Sequence, residues 1–228
     1  MWKVIYKNIG ETPLECLKRH RAVFSLADNI PMTYAGRLDP LAEGELLILT
    51  GDDCKRARDF MNLDKEYEVE IVFGIKTDSH DILGIPTRCE TKKEIIIPGK
   101  YLQEYPPFSS KTVNGIPLYI LKKENNLPKE MPKKEVEIYS VDVLLERKIN
   151  SSDIKRIAIN RIKLVKGDFR QAEIIKAWEK FLIDNKEEFG VIKLRIKCSS
   201  GTYMRKIADN MNGFAISIKR IKIFLPTF

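Results

Sequence analysis

The sequence is poor in the residues that build metal sites and disulfide-stabilised domains. It has two histidines, and its four cysteines are scattered without paired spacing, at Cys16, Cys54, Cys89 and Cys198. We expect neither a zinc site nor disulfides, and free cysteines suit a reducing cytoplasm. No apolar run approaches the roughly 18 residues of a membrane span, and residues 1–6 are too short and polar for a signal peptide. A cytoplasmic protein without metal or membrane is expected.

Positive charge is in moderate excess, and the basic residues are spread along the chain. Forty Lys and Arg residues against 32 Asp and Glu residues give a net charge of +8, which favours a polyanionic partner. Basic clusters such as Lys219-Arg220 are each typical of a solvated face. A chain of 228 residues, 43% of them hydrophobic, can form one large domain or two small ones with a sizeable core.

The most distinctive stretch is residues 34–44, YAGRLDPLAEG, which we call the signature loop. At its centre Pro40 moves Asp39 away from helical geometry, and Gly36 and Gly44 permit backbone angles or close approaches that other residues resist. Such a loop, leading into an apolar strand, would hold one carboxylate still, as a nucleophile or a base requires. The alternative is an Asp-Pro turn with no chemical role.

The signature loop resembles that of the TruB family of tRNA pseudouridine synthases, Gly-His-x-Gly-x-Leu-Asp-Pro-x-Ala-x-Gly. The agreement covers seven positions: Gly36, Leu38, Asp39, Pro40, Leu41, Ala42 and Gly44. The family's histidine falls at Tyr34, which we expect to contact RNA. The resemblance implies an α+β fold, with a mixed, mostly antiparallel central sheet, flanking helices and an active-site cleft, and implies that Asp39 is the catalytic residue.

Two alternating segments carry the other residues that the resemblance selects. Residues 65–73 place Tyr67 on the apolar face of a predicted strand, and the family's tyrosine there stacks on the target uracil. Residues 191–198 alternate too and run into Ser199–Arg205, which is similar to the family's Cys-Ser-x-Gly-Thr-Tyr-Ile-Arg. The resemblance implies that Tyr203 lines the uracil pocket, that Arg205 pairs with Asp39, and that Ile218 lies beside the pocket.

A purely structural interpretation of these side chains stays open. An arginine beside a partly buried carboxylate keeps it ionised, and two tyrosines offer flat faces for a base. The same residue types could form a buried ion pair beside core tyrosines, because sequence does not measure distance. Three further polar residues are interpreted as a turn and not as metal ligands: Asp78, His80 and Asp81.

Two further segments have predicted roles. Residues 105–127, which we call the arm, resemble the family's mobile RNA-binding arm, with Lys111, Lys122 and Lys123 expected to contact RNA; the alternative is a proline-rich connector. An amphipathic helix over Arg170–Asn185 predicts a helical insertion near residues 166–188.

The order of the remaining elements follows from local patterns. Thr12-Pro13-Leu14-Glu15 is a capping box that begins a helix with Leu14 on its apolar side. Residues 136–145 and 157–165 are interpreted as strands. Residues 1–228 are taken as one catalytic domain, without room for the C-terminal PUA-type domain common in the family.

The resemblance implies that the chain isomerises uridine to pseudouridine, with position 55 in the T-loop of tRNA as the expected site. A positioned carboxylate needs no cofactor for this chemistry, and we expect a monomer with tRNA as partner. Two alternatives stay open: the same reaction on ribosomal RNA, because Gly36–Asp39 also resembles ribosomal-RNA synthases, and a non-catalytic RNA-binding or RNA-folding protein of the same fold.

Overall fold

The computed structural model describes residues 1–91, 95–185 and 187–225. The strands are β1 (Trp2–Lys7), β2 (Met32–Ala35), β3 (Ala42–Thr50), β4 (Lys65–Phe73), β5 (Ile75–Thr77), β6 (Pro86–Arg88), β7 (Gly99–Glu104), β8 (Thr112–Val113), β9 (Ile116–Pro117), β10 (Lys133–Asn150), β11 (Glu188–Cys198) and β12 (Gly213–Ile223). The helices are α1 (Pro13–Val23), a 3₁₀ helix (Gly51–Phe60), α2 (Leu118–Lys123), α3 (Ser151–Leu164), α4 (Gln171–Asp184) and α5 (Met204–Asn210).

Eight of the described strands form the central sheet, in the order β1-β3-β12-β4-β11-β10-β7, with β2 added against β3. β12 runs parallel to β3, while the other pairings are antiparallel. The predicted α+β fold with a mixed, mostly antiparallel sheet and flanking helices is therefore confirmed.

The two alternating segments form neighbouring strands at the centre of this sheet. Val69 of β4 lies opposite Leu194 of β11, and both are fully buried on one face. On the other face Glu68 forms ion pairs with Lys193 and Arg195. A period of two therefore places apolar side chains under α5 and charged ones towards solvent.

The capping box begins α1 as predicted, because the Thr12 hydroxyl accepts from the Glu15 amide and the Glu15 carboxylate accepts from the Thr12 amide. The expected apolar side needs correction at one position. Leu14 is 54% exposed, whereas Cys16 and Leu17 are buried. Cys16 and Leu17 therefore form the buried side of α1, and Leu14 lies outside it.

The prediction of a strand at residues 157–165 is wrong, because this segment is the second half of α3. The Asn150 side chain caps the helix by accepting from the Asp153 amide. Ile154, Ala158 and Ile162, four residues apart, are fully buried. Residues four apart lie on one face of a helix. The isoleucines are β-branched and favour strands, which is why the sequence predicted a strand here.

The predicted amphipathic helix is confirmed as α4, which packs against α3. Its buried stripe is Ile174, Trp178 and Leu182, which meets the sheet residues Val72 and Phe214. Burying each large apolar side chain contributes about 1.5–3 kcal/mol relative to exposure. Lys186, within the predicted insertion 166–188, lies outside the described residues. The single-domain assignment of residues 1–228 stays a prediction.

None of the helices in the described part of the chain is both long and apolar enough to cross a membrane.

Candidate active site

The signature loop connects β2 to β3 and is anchored on both sides of Asp39. Leu38 packs in the cluster that holds Tyr67 and Ile218, whereas Leu41 packs in the separate cluster under α3 and α4. The Asp39 carbonyl accepts from the Ala42 amide, which closes a turn. The Asp39 side chain keeps 35% of its surface exposed. The loop therefore fixes the backbone and leaves the carboxylate accessible.

Arg205, the second residue of α5, brings three segments together with one guanidinium group. Its Nε donates to Asp39 Oδ2 at 2.7 Å, its Nη1 to the Ser79 carbonyl at 3.0 Å, and its Nη2 to the Phe108 carbonyl at 3.2 Å. The side chain is 3% exposed. The predicted proximity of Asp39 and Arg205 is confirmed, and a buried arginine that donates to three acceptors holds its carboxylate partner in one position.

Asp81 is a second carboxylate at Arg205, and sequence reasoning assigned it only to a turn. Its Oδ2 lies 3.8 Å from Arg205 Nε, while its Oδ1 accepts from the Ser79 hydroxyl and the Leu83 amide. Burial raises the pKa of Asp81 to about 6, although the Arg205 charge pulls it the other way. The arginine thus lies between one exposed and one buried carboxylate.

The two predicted pocket tyrosines differ in their exposure. Tyr67 is buried in the cluster that contains Ile218, and burial raises the pKa of its phenol. Tyr203 is half-buried, and burial together with the charge of Asp39 raises the pKa of its phenol to about 12. Both tyrosines are close enough to sense the Asp39 charge. The described structure therefore gathers all five predicted catalytic and substrate-binding residues around one region.

The Gln103 side chain of β7 holds the backbone of Tyr203, and no sequence pattern predicted this contact. Its Oε1 accepts from the Tyr203 amide at 2.8 Å, and its Nε2 donates to the Tyr203 carbonyl at 3.3 Å. The Tyr105 ring meets the Tyr203 ring edge-on, with centroids 5.6 Å apart. Tyr203 is consequently fixed from the β7 side.

Two buried cations hold the signature loop by its carbonyls. Lys7 Nζ donates to the Pro40 carbonyl at 3.2 Å and to the Ala42 carbonyl at 2.6 Å. Burial lowers the pKa of Lys7 to about 8. Such contacts satisfy backbone groups that the loop would otherwise leave unpaired away from water.

Arg220 of β12 supplies the second of these cations. Its Nη2 donates to the Gly36 carbonyl at 3.1 Å and its Nη1 to the Arg37 carbonyl at 3.3 Å, and the residue is 1% exposed. The interpretation of the Lys219-Arg220 cluster as a solvated face is therefore wrong for Arg220. Its neighbour in sequence points the other way, as the alternation of a strand requires.

The four residues predicted to contact RNA have different surroundings. Tyr34 is half-buried and packs against the cluster under α1. Lys111 lies over the Tyr105 ring at 5.4 Å, whereas Lys123 is ion-paired with Asp168 at 3.2 Å. Lys122 lies in the last turn of α2. Their contacts with RNA stay predictions.

A cavity of about 510 Å³ lies elsewhere, between the start of α3 and the end of α4. None of the predicted site residues lines it. The candidate active site is therefore the region of the Asp39–Arg205 pair and not this cavity. Within the described residues, no group of three or more His, Cys, Asp or Glu side chains is placed to hold a metal ion.

Comparison with known proteins agrees with this geometry. The family model for the N-terminal domain of TruB family pseudouridylate synthases matches residues 26–160. A protein of Borreliella afzelii (strain PKo) named tRNA pseudouridine synthase B is 29% identical, over 96% of this chain and 68% of its own length. One of the same name from Francisella tularensis subsp. holarctica (strain FTNF002-00 / FTA) is 30% identical, over 77% of this chain and 48% of its own length.

A solved structure of a Cbf5-Nop10-Gar1 complex has the same fold, with a TM-score of 0.53 at 13% identity, over 96% of this chain and 48% of that chain. The chain spans between about half and two-thirds of the length of these relatives. Because the family model matches more than half of the sequence, including the loop that carries Asp39, the chain belongs to the TruB family of pseudouridylate synthases.

Proposed function

We propose that this protein is a tRNA pseudouridine synthase that isomerises a uridine of the T-loop, at position 55 in tRNA numbering. The observation that carries the proposal is the 2.7 Å ion pair between the accessible Asp39 carboxylate and the buried Arg205. Its relatives from Borreliella and Francisella are named tRNA pseudouridine synthase B, which supports tRNA as the substrate class.

In the proposed reaction the target uridine leaves its stack and enters the space beside Asp39. Enzymes that act on a base inside folded RNA extrude it in this way. Tyr67 and Tyr203 offer flat faces for the base, with Tyr67 as the ring that stacks on it and Tyr203 lining the pocket, and Ile218 forms the apolar floor. Stacking on an aromatic ring contributes about 1–3 kcal/mol per base.

Asp39 then acts as the nucleophile or base that permits cleavage of the glycosidic bond. The N1–C1′ bond breaks, the uracil rotates, and a C5–C1′ bond forms. C5 loses a proton and N1 gains one, so the product is an isomer of the substrate. Arg205 holds the Asp39 carboxylate in position, and Asp81 supports Arg205 from the buried side.

The hydrogen bonds from Lys7 and Arg220 to the loop carbonyls reduce the reorganisation that Asp39 would need during the reaction. A carboxylate held in place before the substrate arrives lowers the activation barrier more than one that must be ordered afterwards. We further propose that the protein works as a monomer in the cytoplasm, where its tRNA substrate is found.

The test is pseudouridine formation on defined transcripts. Unmodified tRNA should be converted at one position, and the same tRNA with cytidine in place of uridine 55 should not. Conversion of ribosomal RNA fragments with no conversion of tRNA would favour the ribosomal alternative. Tight RNA binding with no conversion of either transcript would favour the RNA-folding alternative.

A further inference from the structure

The arm contacts the site at Phe108. The Phe108 carbonyl accepts from Arg205 Nη2, the guanidinium group that also holds Asp39. Beyond Phe108 the arm turns back through the short β8–β9 hairpin, and buried Leu118 and Leu121 anchor α2 at its far end. The position of the arm is thus tied directly to the Asp39–Arg205 pair.

Arg170, immediately before α4, holds the same arm residue by its side chain. The Arg170 guanidinium carbon lies 4.6 Å from the centroid of the Phe108 ring, a cation–π contact. Its Nη2 also donates to Asp78 Oδ2 at 3.0 Å, and each side chain of that pair is 23% exposed. Arg170 therefore connects the insertion to the arm and to the turn that contains Asp78.

The two arginines hold adjacent parts of the same two segments. Arg205 donates hydrogen bonds to the Phe108 and Ser79 carbonyls. Arg170 makes a cation–π contact with the Phe108 ring and donates a hydrogen bond to the Asp78 carboxylate. Phe108 is consequently fixed at backbone and ring. Both arginines therefore contact the same residue of the arm.

The backbone of Arg170 is also unusual. Its φ is 61°, in the left-handed region that a residue with a bulky side chain rarely adopts. This conformation directs the chain from the turn at residues 166–170 into α4. A second contact from that turn, the ion pair of Asp168 with Lys123 of α2, is exposed at both ends and contributes little.

We propose that Arg170 is a positioning residue that keeps the arm closed beside Asp39 and Arg205 before RNA arrives. An arm that is already ordered loses less conformational entropy when RNA binds, so the closed arm raises RNA affinity. Removing the guanidinium group shifts the arm towards open states by roughly three- to tenfold. The effect on RNA rests on the proposed function, whereas the effect on the arm does not.

The first experiment is amide hydrogen exchange on the free protein. Arg170→Asn removes the guanidinium group, and asparagine tolerates a positive φ, so the backbone is not strained further. The Leu118 and Tyr119 amides donate to the Lys111 and Ser109 carbonyls within the arm, so their exchange reports on how well ordered the arm is. We expect their exchange to accelerate by roughly three- to tenfold. Lys180→Gln, a change at an exposed lysine of α4, is the control and leaves exchange unchanged.

The second experiment separates binding from chemistry. In Arg170→Asn the KM for tRNA should rise by roughly three- to tenfold while kcat stays within about twofold of wild type. Phe108→Leu removes the aromatic ring but keeps the Arg170–Asp78 ion pair, and it should raise KM by the same factor. The double variant should have the same KM as either single variant.

Unchanged exchange in both single variants would overturn the proposal, and so would a KM that falls, because a closed arm would then be an obstacle to RNA. A wild-type protein that modifies no RNA would refute the proposed function and leave the exchange result as a test of Arg170.

Discussion

The signature loop and the arm meet at Arg205, and they are held there in different ways. Lys7 and Arg220 hold the loop by its carbonyls, and both are at most 1% exposed. The arm is tied to the site by one 3.2 Å hydrogen bond, by the edge-on contact of the Tyr105 ring with Tyr203, and by contacts of Arg170 and Lys123 with partial access to solvent. Buried contacts are lost only on large unfolding, whereas exposed ones open at low cost.

This difference separates two tasks in the proposed enzyme. Aiming one carboxylate demands a rigid segment, whereas admitting a folded RNA demands a segment that can move. Changes in the loop should therefore lower kcat, and changes in the arm should raise KM.

The largest effect is expected for Asp39→Asn. The variant should fold and bind tRNA, because the side chain is 35% exposed and its shape is kept. Pseudouridine formation should fall by about 1,000-fold or more, on the scale that a positioned acid or base contributes. Single-turnover assays measure this, and a rate near wild type would refute the role assigned to Asp39.

Arg205→Lys should lower kcat by about 100-fold, although the charge is kept. A lysine ammonium cannot reach Asp39, Ser79 and Phe108 at once, and each lost hydrogen bond to a charged group costs about 1.5–3 kcal/mol. The matched control is Arg195→Lys, because Arg195 pairs with Glu68 on the exposed face of the sheet. Full activity in Arg205→Lys would mean that charge alone suffices.

Asp81→Asn should lower kcat by about tenfold near pH 8 and change the pH profile, since the lost charge interaction costs about 1.5 kcal/mol. The pKa of Asp81 is about 6, so its carboxylate supports Arg205 only above that pH. The wild-type rate should rise through pH 6, and the variant should lack that step. An unchanged step at pH 6 would assign it to another group.

The same pKa fixes the sign of a stability effect. The unfolded-state pKa of an aspartate is about 3.9. Because the folded pKa is higher, the stabilising contribution is complete below about pH 4 and is lost as pH rises through 6. Asp81→Asn should therefore unfold at no lower temperature than wild type at pH 8. Thermal unfolding of both proteins at pH 5 and pH 8 checks this.

The smallest effect is expected for Lys122→Ala in the last turn of α2. Loss of one phosphate contact should weaken tRNA binding a few-fold and lower the slope of log affinity against log salt by roughly one. kcat should not change. Lys123→Ala is the informative comparison, because Lys123 is already paired with Asp168 and should lose less. If kcat for Lys122→Ala fell as much as the affinity for tRNA, the loop and the arm would not have the separate roles assigned to them.

The sequence predicts best the elements whose pattern is set by one buried face. The alternation of residues 65–73 and 191–198 located β4 and β11, and the capping box located the start of α1. The strand predicted at residues 157–165 shows where local patterns fail, because this segment is helical. Its isoleucines favour a strand locally, but packing against α4 selects the helix.

Proximity is what the sequence could not supply without a family resemblance. Lys7, Asp81 and Arg220 were missed because their roles depend on partners far along the chain. Lys7 is 33 residues from Pro40, and Arg220 is 184 residues from Gly36. Residue type identified these side chains as charged, which normally means exposed. Lys7 and Arg220 are buried against the carbonyls of the signature loop, whereas Asp81 is buried beside Arg205.

The position of β12 has a consequence for the order of assembly during synthesis. β12 lies between β3 and β4, so the segment that presents Asp39 joins the rest of the sheet through a strand translated more than 160 residues later. A nascent chain without β12 also lacks Arg220, which holds the Gly36 carbonyl. Pairings this distant in sequence form slowly. On the ribosome, β1–β3 must therefore wait beside an unpaired sheet edge, and a chaperone that shields this edge would raise the yield of active protein.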